Sequence, residues 1–445
     1  MEQKQDFTQG RIMMPLMKFA LPVLFALCLQ TMYGAVDLLI VGQYAETADV
    51  SAVSTGTQVM HMITAAVTGL AMGTTILIGQ RIGEKKQGEV SKVIGSSIVL
   101  FTIFGFAIAL LMQWAAPYAA RWMQAPEEAF EKTVAYIRIC SAGAVFIVAY
   151  NVIGSIFRGM GNSKIPLLTV AIACVFNIVG DFLLVAVFKM NTAGAAIATI
   201  AAQAISVLLS LVLVRRQKLV QISRKDLCLD KVTAKKILGM GFPIAFQEVL
   251  VSISFLVITG IVNGLGVVAS AGVGIAEKVC GFIMLVPSAY SQSISAFVAQ
   301  NIGAGKRERA QKALIYAIGS SLAVGIVIGY FSFFHGDMLT GLFAGEKQDV
   351  IAAGAEYLKA YAIDCLFVSF LFCFIGYFNG CGNTRFVMLQ GIIGAFGVRI
   401  PVSYVMSRLY PDSLFLIGLA TPSSTVVQIA LCFGFLWLVR QKGRR

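Results

Sequence analysis

The 445-residue sequence predicts an all-α polytopic membrane protein, with twelve transmembrane helices in two pseudo-symmetric six-helix lobes. Three observations carry this expectation. The chain is 58% hydrophobic and only 13% charged, with a mean hydropathy of +0.82, whereas soluble domains carry about a quarter charged residues. Twelve apolar stretches are each long enough to cross a bilayer, which takes about twenty residues. Motifs in the first half return in the second at a nearly constant offset.

The stretches fall at about 16–42, 51–78, 91–115, 131–156, 165–188, 192–214, 237–263, 268–298, 311–333, 352–378, 386–407 and 413–438. They are numbered helix 1 to helix 12. The first follows a basic flank, as a signal peptide would. No small-residue cleavage pattern follows it and further spans do, so it reads as helix 1. Backbone groups in hydrocarbon must be satisfied within a helix or a closed barrel. Barrel strands alternate over about ten residues, so runs this long and continuous are helices.

The repeat is visible residue by residue. Leu21-Pro22 returns as Phe242-Pro243, at an offset of 221. Gln80-Arg81-Ile82-Gly83 returns as Gln300-Asn301-Ile302-Gly303, at 220. Phe157-Arg158-Gly159-Met160-Gly161-Asn162-Ser163 returns as Phe378-Asn379-Gly380-Cys381-Gly382-Asn383-Thr384, at 221. The division expected is an N-lobe over 1–214, a polar, basic cytoplasmic linker over 215–236 and a C-lobe over 237–445. Six spans per repeat is an even number, so both copies enter the membrane in the same sense. They should be related by an axis along the membrane normal, with substrate sites between the halves.

The net charge of +13 invites a nucleic-acid partner. Its distribution points elsewhere. With both termini in the cytoplasm, 26 Lys and Arg flank the inner helix ends and five lie in outer loops. That is a positive-inside bias in a cell (inner) membrane protein. The basic flanks face anionic lipid, and no nucleic acid is required. The nine cysteines lie mostly in apolar runs and form no Cys-x-x-Cys, so they read as small buried hydrophobes. With only two histidines, His61 and His335, no zinc or haem site is expected, and no resident cofactor. A Walker A motif is lacking, as are Gly-x-Ser-x-Gly and His-Glu-x-x-His, so the chain reads as neither an ATP motor nor an enzyme.

A charge inside a bilayer is costly, so intramembrane acids mark functional candidates. The first half has Asp37 on helix 1 and Asp181 on helix 5, with Asn177 one turn before Asp181 on the same face. Counted from the outer helix ends, Asp37, Asp181 and Thr199 of helix 6 share a level roughly 8–11 Å deep. Two carboxylates, an amide oxygen and a hydroxyl form a hard-oxygen set suited to a small cation. Two neighbouring carboxylates can also share a proton. The plainer alternative is a structural ion pair with Arg138 of helix 4, which lies at similar depth. At the repeat offset the counterparts of Asp37, Asn177 and Asp181 are Ile258, Val398 and Val402. Ion coupling therefore belongs to the first half. The second half offers Glu248, Glu277, Lys278, Lys359, Asp364 and Arg399, where pairing or snorkelling competes with function; Glu248 and Asp364 are its candidates. Pro22, fifteen residues before Asp37, is a hinge or a tolerated membrane proline. Gly69/Gly73, Gly325/Gly329 and Gly376/Gly380 fit close helix packing. Abundant Phe and Met, 31 and 17, would line an adaptable apolar cavity.

Taken in order, the chain resembles a prokaryotic member of the multidrug and toxic compound extrusion (MATE) family over nearly its whole length. The resemblance rests on the two six-helix halves, the Gly-x-Gly-Asn-(Ser/Thr) turns at 159–163 and 380–384, the Gln-x-Ile-Gly segments at 80–83 and 300–303, and the stretch from Asn177 and Asp181 to Gly194-Ala195-Ala196-Ile197-Ala198-Thr199. It implies a multidrug efflux antiporter driven by inward Na+ or H+.

 The implied activity is transport, not catalysis: inward Na+ or H+ drives drug outward. In similar prokaryotic transporters an N-lobe cation site uses an aspartate of helix 1, an asparagine and an aspartate of helix 5 and a threonine of helix 6. Asp37, Asn177, Asp181 and Thr199 match those positions, Ala195 of the same stretch joins the set, and Pro22 matches a helix-1 proline. Some members use acids of the C-lobe instead, and whether Glu248 or Asp364 aligns with them stays open. The expected partners are small drug-like molecules and the lipid bilayer, and the expected state is a monomer. A lipid-linked saccharide flippase of the same broad architecture is the alternative. An intramembrane enzyme using Asp37 and Asp181 as an aspartyl pair is the reading from another class, and the tandem repeat argues against it.

Overall fold

The computed structural model describes residues 7–217, 225–345 and 347–442. Lys4, Lys218, Arg224, Arg444 and Arg445 of the basic pattern, with the centre of the 215–236 linker, lie outside the described residues. Among the described residues every regular element is helical. Helix 1 is Met13–Tyr44, helix 2 Thr47–Gly83 and helix 3 Gln87–Trp122. Helix 4 is the pair Glu127–Ala142 and Ala144–Gly159, followed by helix 5, Lys164–Val187, and helix 6, Asn191–Gln217. The second repeat runs through helix 7, Lys231–Asn263, helix 8, Val267–Gly303, helix 9, Arg307–Phe334, helix 10, Gln348–Gly380, helix 11, Thr384–Leu409, and helix 12, Leu414–Val439. A short helix, Gly336–Ala344, stands between helices 9 and 10. Eleven of these are single helices long and apolar enough to cross a membrane, and the bent pair makes the twelfth. The chain is a multi-pass membrane protein.

Helix 4 departs from the sequence expectation of one continuous span. It bends by 52° between its two segments. The bend falls at Gly143, where a Cβ would lie 2.4 Å from a side-chain carbon of Ile200. Helix 6 fills the notch that the missing side chain leaves. Helix 2 also begins earlier than its apolar run, at Thr47, and so takes in Asp49.

Two compact units divide the chain. One is built on Leu21–Ala245; the other on Phe246–Ile302 and Lys306–Arg445, with Thr8–Ala20. Within the first, Val67, Leu70, Leu77, Ile94, Val148 and Ile237 share one apolar core. Within the second, Ile258, Val273, Tyr357, Leu358 and Ile417 share another. Ile103, Phe106, Leu110 and Trp114 recur on one face of helix 3, each more than half exposed. A surface that apolar is lipid-facing.

All three glycine pairs singled out in the sequence sit at close helix approaches. A Cβ on Gly73 would lie 2.3 Å from the Ile237 carbonyl oxygen, one on Gly325 2.7 Å from that of Cys365, and one on Gly376 2.4 Å from that of Ser291. Gly73→Leu should therefore cost about 1–3 kcal/mol through overpacking, read as a lower thermal midpoint of the detergent-purified protein. Gly88→Leu, where the added Cβ meets nothing within 4 Å, is the control expected to leave the midpoint unchanged.

Candidate cation site

Helix 1 carries Asp37, helix 5 Asn177 and Asp181, and helix 6 Ala195 and Thr199. The turn between helices 5 and 6 is tight, with Lys189 and Asn191 at φ of 52° and 47°. Small residues then let the two helices close: a Cβ on Gly180 would lie 3.2 Å from the Cβ of Ala198. Asp181 ends the regular α-helix of helix 5, and wider π-turns take over from Phe182 to Val187. Such turns re-aim side chains and recur at functional sites.

This packing brings the first-repeat candidates together inside one unit. Asp37 lies beside Asp181, Thr199 and Asn177. The Thr199 hydroxyl donates to Asp37 Oδ2 at 3.4 Å and to the Ala195 carbonyl at 3.0 Å. A hydroxyl has one proton, so those two acceptors share it. Asp37 is 6% exposed, Asn177 1% and Asp181 0%. Asp37 Oδ1, both Asp181 oxygens and both polar atoms of the Asn177 amide are buried and accept or donate no hydrogen bond. Tyr33 and Tyr136 stand near enough to Asp37 to feel its charge, but each is engaged elsewhere: Gln203 donates to the Tyr33 hydroxyl at 3.2 Å, and Tyr136 pairs with the Thr57 hydroxyl at 3.1 Å. Val41, Ile147, Val185 and Ala196 form part of the apolar wall.

Arg138 is not the counter-ion. It is exposed, its Nε donates to the Gln113 carbonyl at 3.2 Å, and the Gln113 amide donates back to the Arg138 carbonyl at 2.8 Å. Among the described residues no Lys or Arg forms an ion pair with Asp37 or Asp181. No group of three or more His, Cys, Asp or Glu converges among them either. Two carboxylates, an amide, a hydroxyl and a backbone carbonyl suit a small hard cation or a shared proton.

The other candidates are placed as follows. Asp364 is buried on helix 10, and neither of its oxygens accepts a hydrogen bond. Glu248 is exposed on helix 7, and the neighbours of Asp364 are Thr425 and Arg399, so the two C-lobe acids do not form one cluster. Lys278 and Lys359 are exposed. Pro22 lies inside an unbroken helix 1.

One network was not foreseen. Asp49, 1% exposed in the first turn of helix 2, accepts from the Thr192 hydroxyl at 2.6 Å and from Lys132 Nζ at 2.9 Å, and Lys132 also pairs with Glu46 at 3.0 Å. It ties the start of helix 6 to helices 2 and 4, two turns from Thr199. The sequence signal was the Glu46/Asp49 pair just ahead of an apolar run, where acids favour a helix start.

The MatE family model matches residues 22–183 and, a second time, 243–405. The two matches begin 221 residues apart, the spacing of the repeated motifs. The chain is similar to the probable multidrug resistance protein YpnP of Bacillus subtilis, 27% identical over 90% of each chain. It is similar to the multidrug export protein MepA of Staphylococcus saprophyticus, 23% identical over 92% of this chain and 90% of that one. A solved multidrug resistance MATE family transporter of the MOP superfamily, in an outward-facing conformation, shares the fold with a TM-score of 0.90 at 22% identity, covering 98% of this chain and 97% of that one.

Two outcomes follow from this geometry. Thr199→Val removes the one hydroxyl donor to Asp37 and should weaken cation binding about 5–10-fold, the value of a single lost hydrogen bond, in a cation titration of intrinsic fluorescence. Lys132→Met strips Asp49 of its positive partner and should cost about 1–3 kcal/mol of stability. This is less than for a fully buried pair, because the Lys132 side chain keeps 35% of its surface exposed; thermal unfolding reads the loss.

Proposed function

The chain belongs to the MatE family, and on that footing we propose that it is a cation-coupled multidrug efflux antiporter that exports amphipathic, often cationic compounds. It is a transporter and not an enzyme. Inward Na+ or H+ binds at Asp37, Asn177, Asp181 and Thr199, with the Ala195 carbonyl as a further oxygen. The reading is carried by one observation: Asp37 and Asp181 are buried side by side with no basic partner among the described residues. Two like charges in a low-dielectric interior are not tolerated without a compensating cation or proton. A site that the protein itself does not neutralise is suited to an ion that comes and goes.

Coupling follows from linkage. A cation that favours one conformation shifts the population toward it. If drug favours the other, each ligand lowers the affinity of the other by the same factor. The names of the relatives, multidrug resistance and multidrug export proteins, support the cargo class. The basic inner flanks support a cell-membrane location with both termini in the cytoplasm. The functional lobes are taken as 1–214 and 237–445, joined by 215–236, in a monomer. Pro22 is the hinge of helix 1. The coupling ion is a substrate, and no other cofactor takes part.

The test is drug efflux from proteoliposomes under separately imposed Na+ and pH gradients. One of the two gradients should drive efflux in the native protein. Asp37→Asn should bring efflux to the level of empty vesicles while purified yield stays within about twofold. Undiminished efflux by that variant would sink the site, and efflux of a lipid-linked saccharide but not of drugs would replace the cargo.

A further inference from the structure

Arg158 stands at the C-terminal end of helix 4, one residue before the helix closes at Gly159. Its counterpart at the repeat offset is Asn379, in the like-spaced turns at 157–163 and 378–384. The scaffold of the two turns recurs. A Cβ on Gly159 would lie 2.9 Å from the Thr75 carbonyl oxygen, and one on Gly380 2.7 Å from that of Ser295. The charge does not recur. An arginine that the turn itself required would be expected in both halves.

A basic side chain at the end of a span ordinarily snorkels outward to the headgroups. Arg158 turns the other way. Its NH2 donates to the Ser155 hydroxyl at 2.9 Å, and a Cβ on Gly154 would lie 3.3 Å from its NH1. The guanidinium thus lies back along its own helix, toward the middle of the span, in the notch left by the side chain that Gly154 lacks. Its Nε is buried without a partner. Among the described residues no Asp or Glu forms an ion pair with it. A charge drawn back from a helix end in this way faces the bundle interior or water rather than lipid.

Helix 2 covers the adjacent face of helix 4. Thr68 donates to Asn151 Oδ1 at 2.9 Å, and Thr75 donates to the Ser155 carbonyl at 2.8 Å. The stripe beside that face is Tyr150, Gly154 and Arg158, spaced four residues apart and each half-buried. The Tyr150 hydroxyl accepts from the Gln30 amide of helix 1 at 2.6 Å, which leaves its own proton to donate. The stripe therefore offers a fixed positive charge and, further along, a neutral donor. A guanidinium fork matches a carboxylate, and the protein supplies none.

We infer that Arg158 is a specificity-determining residue that holds the carboxylate of amphipathic cargo, so that the compounds bound include zwitterions as well as cations. The inference rests on the multidrug reading proposed above.

The test compares rhodamine B, which carries a free carboxylate, with its ethyl ester, which carries the same dye cation without one. Binding is read by fluorescence anisotropy on the detergent-purified full chain. Arg158→Gln should weaken rhodamine B about tenfold, the loss expected for a hydrogen bond to a charged group, and change the ester by less than about twofold. Arg158→Lys, which keeps the charge without the fork, should restore part of the loss. Equal losses for the two dyes, or none for either, overturn the inference. Retention of phosphatidylglycerol that depends on Arg158, with dye affinities unchanged, overturns it too, by assigning the guanidinium to a lipid phosphate. A native protein that binds neither dye overturns the multidrug reading and the inference with it, which separates the two failures. Where Arg158→Gln does not fold, phenylglyoxal labelling of the native chain decides. Rhodamine B should protect Arg158 and the ester should not; protection by both dyes or by neither overturns the inference.

Discussion

Two carboxylates held side by side out of water are the constraint that the first unit is organised around. Each ionised group buried without a partner costs several kcal/mol, and neither aspartate can satisfy the other without a proton between them. The protein supplies little help. Thr199 offers one proton to two acceptors, and the nearby Tyr33 and Tyr136 hydroxyls are committed to other partners. What it does supply is position. Gly180 against Ala198, the tight turn at 188–190 and the Asp49 network anchoring the start of helix 6 hold the oxygens at one level without neutralising them. A cluster fixed by packing but short of positive charge is the feature on which the proposed cation site rests.

Much of this was legible in the sequence, for reasons that differ by element. The spans were legible because hydrocarbon leaves the backbone only helix or closed barrel, and apolar runs this long and continuous exclude barrel strands. The site was legible because intramembrane acids are rare, and because counting from the helix ends gives depth. Depth says nothing of azimuth, however, and that is where Arg138 misled. Tyr136 and Cys140 face inward, 3% and 2% exposed, while Arg138, two residues from each, points away toward Gln113. The same limit separates Gln247, which is buried, from its exposed neighbour Glu248. The bend of helix 4 was hidden because Gly143 reads like any small membrane residue until Ile200 is seen against it. Asp49 was hidden because it lies just outside an apolar run, where an acid ordinarily meets water.

The repeat adds a further lesson about what duplication conserves. Backbone devices recur in both halves: proline at 22 and 243 and glycines at close approaches, whereas the π-turns of helices 5 and 11 fall at positions that do not correspond. Charge does not recur. Asp37, Asn177 and Asp181 have apolar counterparts in Ile258, Val398 and Val402, and Arg399, the residue after Val398, donates to the Ser254 hydroxyl of helix 7.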